Sequence, residues 1–154
     1  MPQHSETRRL PYTPDQMYGL VADVASYPAF IPWTAAARIR SVTPLKDGSG
    51  EVMLADLVIG FRMFRERFGS RVTLHPDQRR INTESIDGPF KHMKSFWEFA
   101  GVEGGCDVRF EVDFEFRNRL LQGAAGMFFH DAMTRIVRAF EARAAQFYQP
   151  DQQA

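Results

Sequence analysis

The chain is poor in cysteine, has no surplus of either charge and contains no long apolar run. Each lack removes a class of protein. Cys106 is the one cysteine among 154 residues, so no intrachain disulfide and no cysteine-based metal cluster can form. Lys and Arg number 19, as do Asp and Glu, which leaves no global field to attract nucleic acid or anionic lipid. No stretch approaches the ~20 apolar residues of a spanning helix. The polar start, Met1-Pro2-Gln3-His4-Ser5-Glu6, lacks the apolar core of a signal peptide. A soluble, cytoplasmic protein without a DNA partner is expected. Catalytic signatures are also missing. His4, His75, His92 and His130 are scattered without H-E-x-x-H spacing, and there is neither a G-x-S-x-G nor a phosphate-binding glycine loop. His130 and Asp131 are neighbours on a helix, about 100° apart, and do not form a ready dyad. No metal and no cofactor is expected.

What the chain does have is phenylalanine, 14 of them, and two clear periodicities. From Arg119 to Tyr148 there is no proline. Leu121, Ala125, Phe128, Ala132, Ile136, Phe140, Ala144 and Phe147 recur at steps of three or four, the spacing of one helical face. A rod of this length with an apolar stripe needs a broad apolar partner. From Cys106 to Phe116 apolar and charged residues alternate strictly, which predicts a half-buried antiparallel strand. Ahead of it, strands are expected over Ala37–Pro44, Glu51–Phe61, Met63–His75, Arg79–Ile86 and Phe90–Ala100. Turns at Lys46–Gly50, His75–Gln78, Asp87–Pro89 and Gly101–Gly105 separate them. A first strand is expected over Ser5–Pro11. A helix then opens with Thr13 as N-cap and Pro14 at its first position. Short turns favour a meander, and helices gathered on one face of it make the class α+β. One domain over residues 1–150 and a tail over 151–154 follow.

Candidate chemistry is thin. Cys106 falls on the apolar face of its strand and reads as an inert thiol. Glu66 and Ser70 share strand parity with Phe68, Val72 and Leu74, so an inward carboxylate at 66 would be an acid–base candidate, unless a bulge near Gly69 returns it to water. Arg62, Arg65, Arg67, Arg71, Arg79 and Arg80 cluster on two strands with Phe61, Phe64 and Phe68 interleaved. An RNA-binding sheet would need those aromatics on the charged face, whereas Phe64 and Phe68 have the opposite parity to Arg65 and Arg67. The acidic row at 107, 111, 113 and 115 supplies partners for arginines instead. What remains is an aromatic interior, which is either solid core or an apolar pocket between sheet and helix.

Several stretches together resemble one family. Val24-Ala-Ser-Tyr27-Pro-Ala-Phe30-Ile-Pro32-Trp33 is similar to the Y-x-x-F-x-P-W segment of the coenzyme Q-binding branch of the START-like, polyketide-cyclase superfamily. Gly60-Phe61, Ser70-Arg71-Val72, Gly88-Pro89-Phe90-Lys91-His92-Met93 and Trp97-Glu98-Phe99 match further stretches in order. Thr34 stands where the branch has cysteine, and Met93 where leucine is common. The resemblance implies a helix-grip fold with an apolar cavity, lined by Val24, Tyr27, Phe30, Pro32, Trp33, Phe61, Phe68, Phe90, Met93, Trp97, Phe110, Phe114, Met127 and Phe128. It implies non-enzymatic binding and delivery of ubiquinone or a related isoprenoid quinone, in support of quinone biosynthesis and respiration. The Tyr27–Trp33 connection and the turns at Gly48–Gly50 and Gly88–Pro89 would act as lids, with transient contact to a membrane surface and a peripheral place at the inner membrane. The branch also resembles ribosome-association toxins, which bind the large ribosomal subunit, and the superfamily includes polyketide cyclases and aromatases. Both stand as alternatives, the first resting on Arg65, Arg67 and Arg71, the second on Glu66.

Overall fold

A computed structural model describes residues 3–61 and 64–148; within these, the side chains at 61, 64, 121 and 124–128 lie outside the description. The elements are β1 (Gln3–Leu10), α1 (Pro14–Ala22), a 3-10 segment (Val24–Ala29), β2 (Thr34–Pro44), β3 (Glu51–Phe61), β4 (Phe64–His75), β5 (Arg80–Asp87), β6 (Phe90–Val102), β7 (Gly105–Phe116) and α2 (Arg119–Phe147). The predicted elements are all present, with ends that coincide or shift by at most three residues. The start of α1 is a capping box: the Thr13 hydroxyl accepts from the Gln16 backbone N–H, and the Gln16 side chain accepts from the Thr13 N–H. Pro28 then holds the chain in the tighter 3-10 winding.

The seven strands form one antiparallel sheet in the order β1-β7-β6-β5-β4-β3-β2. β2 to β7 are the expected meander, and β1 closes onto β7, opposite Val112, Phe110 and Val108 through His4, Glu6 and Arg8. Register puts Phe68 beside Leu57, Ile81 beside Trp97, Trp97 beside Phe110 and Met93 beside Phe114, all on the face that meets α2. That face carries the core. The helix differs from its predicted stripe. Phe129, Val137, Phe140 and Ala144 are its buried residues, with Met133 and Ile136 half-buried against the core, and Phe147 is 55 % exposed. Ile136, Phe140 and Ala144 keep the expected line, whereas Phe129, Met133 and Val137 lie one step round from it, and the last expected member, Phe147, lies beyond the edge of the core. The side chains at Leu121, Ala125, Met127 and Phe128 lie outside the described residues.

The bulge expected near Gly69 exists, but on the neighbouring strand. Gly69 pairs with Asp87 and Ser70 with Ser85, so Ile86 is the extra residue in β5. The β3–β4 register is unbroken, and Glu66 keeps its place opposite Ile59. Glu66 is exposed because β4 outruns β5 there: their pairing stops at Gly69.

Candidate functional site

Aromatic side chains meet between sheet and helix in two groups. In the first, the Phe140 ring of α2 lies edge-on to Tyr27 (5.5 Å), Phe30 (5.3 Å) and Trp97 (5.1 Å), and Trp97 packs on Phe110 at 4.3 Å. In the second, Phe90 stacks on Phe116 at 4.8 Å and meets Phe68 (5.2 Å) and Phe114 (5.8 Å) edge-on; Phe114 in turn meets Phe129 of α2 at 4.7 Å. Such offset and edge-on contacts suit the ring quadrupole. Eight of the expected pocket residues are thus accounted for in these groups or beside them, counting Met93 across from Phe114. Val24 is buried, and Pro32 and Trp33 are half-buried at the entry to β2. Phe61, Met127 and Phe128 have side chains outside the described residues. Phe116 and Phe129 join the site without having been expected. Phe116 carries the same strand parity as Phe114, a signal that was there to use.

The connection between α1 and β2 is anchored, not loose. The Tyr27 hydroxyl donates to the Val21 carbonyl, and burial pushes its pKa well up, so it stays a neutral donor. Tyr27 and Phe30 both contact Phe140, so opening this segment alone would break its ring contacts with α2. Trp33 has φ 65°, a left-handed conformation that costs a bulky residue of the order of 1–3 kcal/mol. Its carbonyl accepts from the Gly60 N–H at 2.8 Å, which ties the strained turn to β3.

Polar groups inside are few. Ser70 is fully buried, and its hydroxyl donates to the Ala55 carbonyl at 3.1 Å. Cys106 is fully buried, and desolvation raises its pKa to about 11, so it is a thiol at neutral pH. Along β1 the inward row is polar: Arg8 is paired with Glu141 of α2, and His4 bridges Glu6 (2.7 Å) and His130 (3.0 Å). Sequence periodicity gave no hint of this row, since β1 is polar on both faces. Among the described residues no cluster of His, Cys, Asp or Glu is arranged to hold a metal.

The outer face of the sheet is charge-paired as expected, with two of the four β7 acids taking arginines that lie outside the cluster at 62–80. Arg67 bonds Asp56 (2.5 Å) and Asp87 (3.2 Å), and Arg71 bonds Glu84 (2.6 Å). The acidic row of β7 serves other cations: Asp107 takes Arg9, Glu111 takes Arg109, Asp113 takes His92 and Glu115 takes Lys91. The Arg40 hydrogen bond holds the Asp56 carboxyl below the usual range, and the Gly69 N–H does the same for Asp87. A shallow trough of about 800 Å³ crosses this face, with Arg71, Glu84, Lys94 and Phe96 in its lining. Arg80 and Arg109 lie over the Phe96 ring at 4.7 and 5.3 Å, so the one aromatic here is already covered by cations.

Residues 10–141 match the family described as polyketide cyclase / dehydrase and lipid transport. The chain belongs to this family. Among its relatives, the ribosome association toxin RatA of Escherichia coli is 37 % identical over 149 residues, which span 96 % of this chain and 90 % of that one. The mitochondrial coenzyme Q-binding protein COQ10 homolog B of Xenopus laevis is 33 % identical over 151 residues, 95 % of this chain and 59 % of that one. The solution structure of an 18 kDa protein from Caulobacter crescentus superposes with a TM-score of 0.78 at 36 % identity, covering 95 % of this chain and 97 % of its own. In this family's helix-grip fold, a curved antiparallel sheet closes on the C-terminal helix, as β1–β7 close on α2.

Proposed function

We propose that this family member binds an isoprenoid quinone of the ubiquinone class between sheet and α2 and delivers it unchanged, in support of quinone biosynthesis and respiration. The observation that carries the reading is the second aromatic group, Phe68, Phe90, Phe114, Phe116 and Phe129, continued by half-buried Leu57, Ile59 and Met93. These side chains offer an apolar lining to a ligand whose tail gains about 25 cal/mol per Å² buried. Support for the quinone comes from the coenzyme Q-binding relative. Support for carriage over chemistry comes from the inward face itself, where Ser70 is engaged with a backbone carbonyl and Glu66 stands in water. Native mass spectrometry of the protein purified from its own cells, followed by lipid extraction, tests this. A bound isoprenoid quinone, lost when Phe90 and Phe114 become serine in a protein that still folds, supports the reading. An empty protein, or one holding only bulk phospholipid, refutes it.

A second reading is favoured by the RatA relatives, which align over nearly their whole length: association with the large ribosomal subunit. The test residues for it change with the structure. Arg67 and Arg71 are neutralised by acids, whereas Arg65 is exposed and unpaired among the described residues. Cosedimentation with ribosomes that Arg65→Glu reduces, with quinone content unchanged, would favour this reading over the first.

A further inference from the structure

At one end of the molecule three elements converge. The Arg117 N–H, just past β7, donates to the Pro89 carbonyl in the β5–β6 turn at 2.8 Å. Gly88 in that turn sits against Phe68 and the Arg67 carbonyl of β4. The junction into α2 is held rigidly. The Leu120 N–H donates to the Asn118 side chain (2.8 Å), the Gln122 N–H to the Asn118 carbonyl (3.0 Å), and the Phe116 N–H to the Gln122 side chain (2.7 Å). On this scaffold Leu120 is 85 % exposed, and Ile86 at the nearby bulge is 39 % exposed; two of the four exposed large apolar side chains among the described residues are therefore here. Arg117 and Arg119 closely precede Leu120 in sequence, and Arg65 lies on β4 two residues before Arg67, whose carbonyl meets the Gly88 turn; all three are exposed and have no acidic partner among the described residues. Most arginines of the sheet, in contrast, are paired. Glu66 is the one acid close by in sequence that is unpaired among the described residues.

We propose that this end, centred on Leu120 with Arg65, Arg117 and Arg119, docks reversibly on an anionic phospholipid surface. A leucine held out by three helix-start hydrogen bonds costs free energy in water and is satisfied by acyl chains. The arginines around it match lipid phosphates, and the positive end of the α2 dipole adds to them. An apolar tip with a basic collar is the pair of signals that gives interfacial binding without insertion of a helix. Among the described residues no helix is long and apolar enough to cross a membrane. RNA fits less well, because among the described residues of this end Phe68, Phe90 and Phe114 are buried and Phe116 is half-buried against Phe90, which leaves no fully exposed ring to stack on bases. This end adjoins the second aromatic group through Phe116, the residue before Arg117, and Phe90 stacked on it, so docking there would bring the lining of the proposed quinone site close to the bilayer. The inference rests on that reading for its purpose but not for its test.

The test is flotation of the full chain with quinone-free vesicles of phosphatidylcholine alone and of phosphatidylcholine mixed with phosphatidylglycerol. Each arginine near the surface adds about fivefold to partitioning, so Arg117→Glu with Arg119→Glu should lower binding to the anionic vesicles by at least about 25-fold. Leu120→Asn should lower it while leaving the charge intact, and raised salt should weaken it. Arg138→Glu, an equally exposed arginine roughly 28 Å further along α2, should leave binding unchanged. Far-ultraviolet circular dichroism checks that each variant is folded. Equal flotation on neutral and anionic vesicles, indifference to the paired substitution, or a surface that binds ribosomes and no vesicles would each overturn the proposal. Quinone content of the same variants, measured after extraction, separates its failure from that of the quinone reading.

Discussion

Phe140 and Phe147 share one expected stripe of α2 but occupy opposite environments, which makes the pair a sharp probe of how the helix is seated. Phe140 is 2 % exposed and touches Tyr27, Phe30 and Trp97, so one ring joins α2 to the 3-10 segment and to β6. Truncation to alanine removes the transfer free energy of a buried ring and leaves a cavity bounded by three other rings that cannot all collapse inward. The expected loss is about 3–5 kcal/mol, or roughly 6–20 °C in Tm for a domain of this size. Phe147 is exposed, and its described contacts are the Arg143 guanidinium at 4.3 Å and the Tyr148 ring. Phe147→Ala should cost no more than about 1 kcal/mol. Urea unfolding followed by tryptophan fluorescence gives both values from one experiment. The slope should be unchanged, so that the midpoint reports stability alone. Equal losses at the two positions, or a loss below about 1 kcal/mol at Phe140, would mean that α2 is rotated from the seating described.

Three further perturbations test separate parts of the fold. The pKa of Asp56 is depressed, chiefly by the Arg40 hydrogen bond. It therefore contributes stability in full above the unfolded carboxylate value and loses it as pH falls through the folded one. Asp56→Asn should lower stability at neutral pH and flatten the acid limb of the stability–pH curve; parallel curves would refute the pairing. Gly88 has φ 111°, and a Cβ there would lie 2.6 Å from the Phe68 Cβ, so Gly88→Ala should cost about 2 kcal/mol or more. A neutral change in thermal midpoint would show that the turn rearranges freely. Cys106, fully buried with a pKa near 11, should resist an aromatic disulfide reagent at pH 8 until urea unfolds the chain. Prompt labelling of the native protein would place it outside the core.

What the sequence made legible was whatever depends on local period. β7 alternates so strictly that its inward row, Cys106, Val108, Phe110, Val112, Phe114 and Phe116, could be read directly; the first five are buried and Phe116 is half-buried. The helix could be read as a helix, but its azimuth could not. Phe128 and Phe129 both fit a spacing of three or four, and only the position of Phe114 on the sheet draws Phe129 into the core. The inward polar row of β1 was invisible for a related reason. His4, Glu6 and Arg8 alternate with other polar residues, and what makes them inward is pairing with β7, a strand a hundred residues away, under Glu141 and His130 of α2. Glu66 shows the same limit from the other side. Its parity could be read and its depth could not, because burial at that point depends on β5 ending before β4 does. Strand parity is a property of a few consecutive residues. Depth is a property of how far each strand runs relative to its neighbours, and that decides which face residues become core, which become lining and which, as at Leu120 and Arg65, are left in water for a partner.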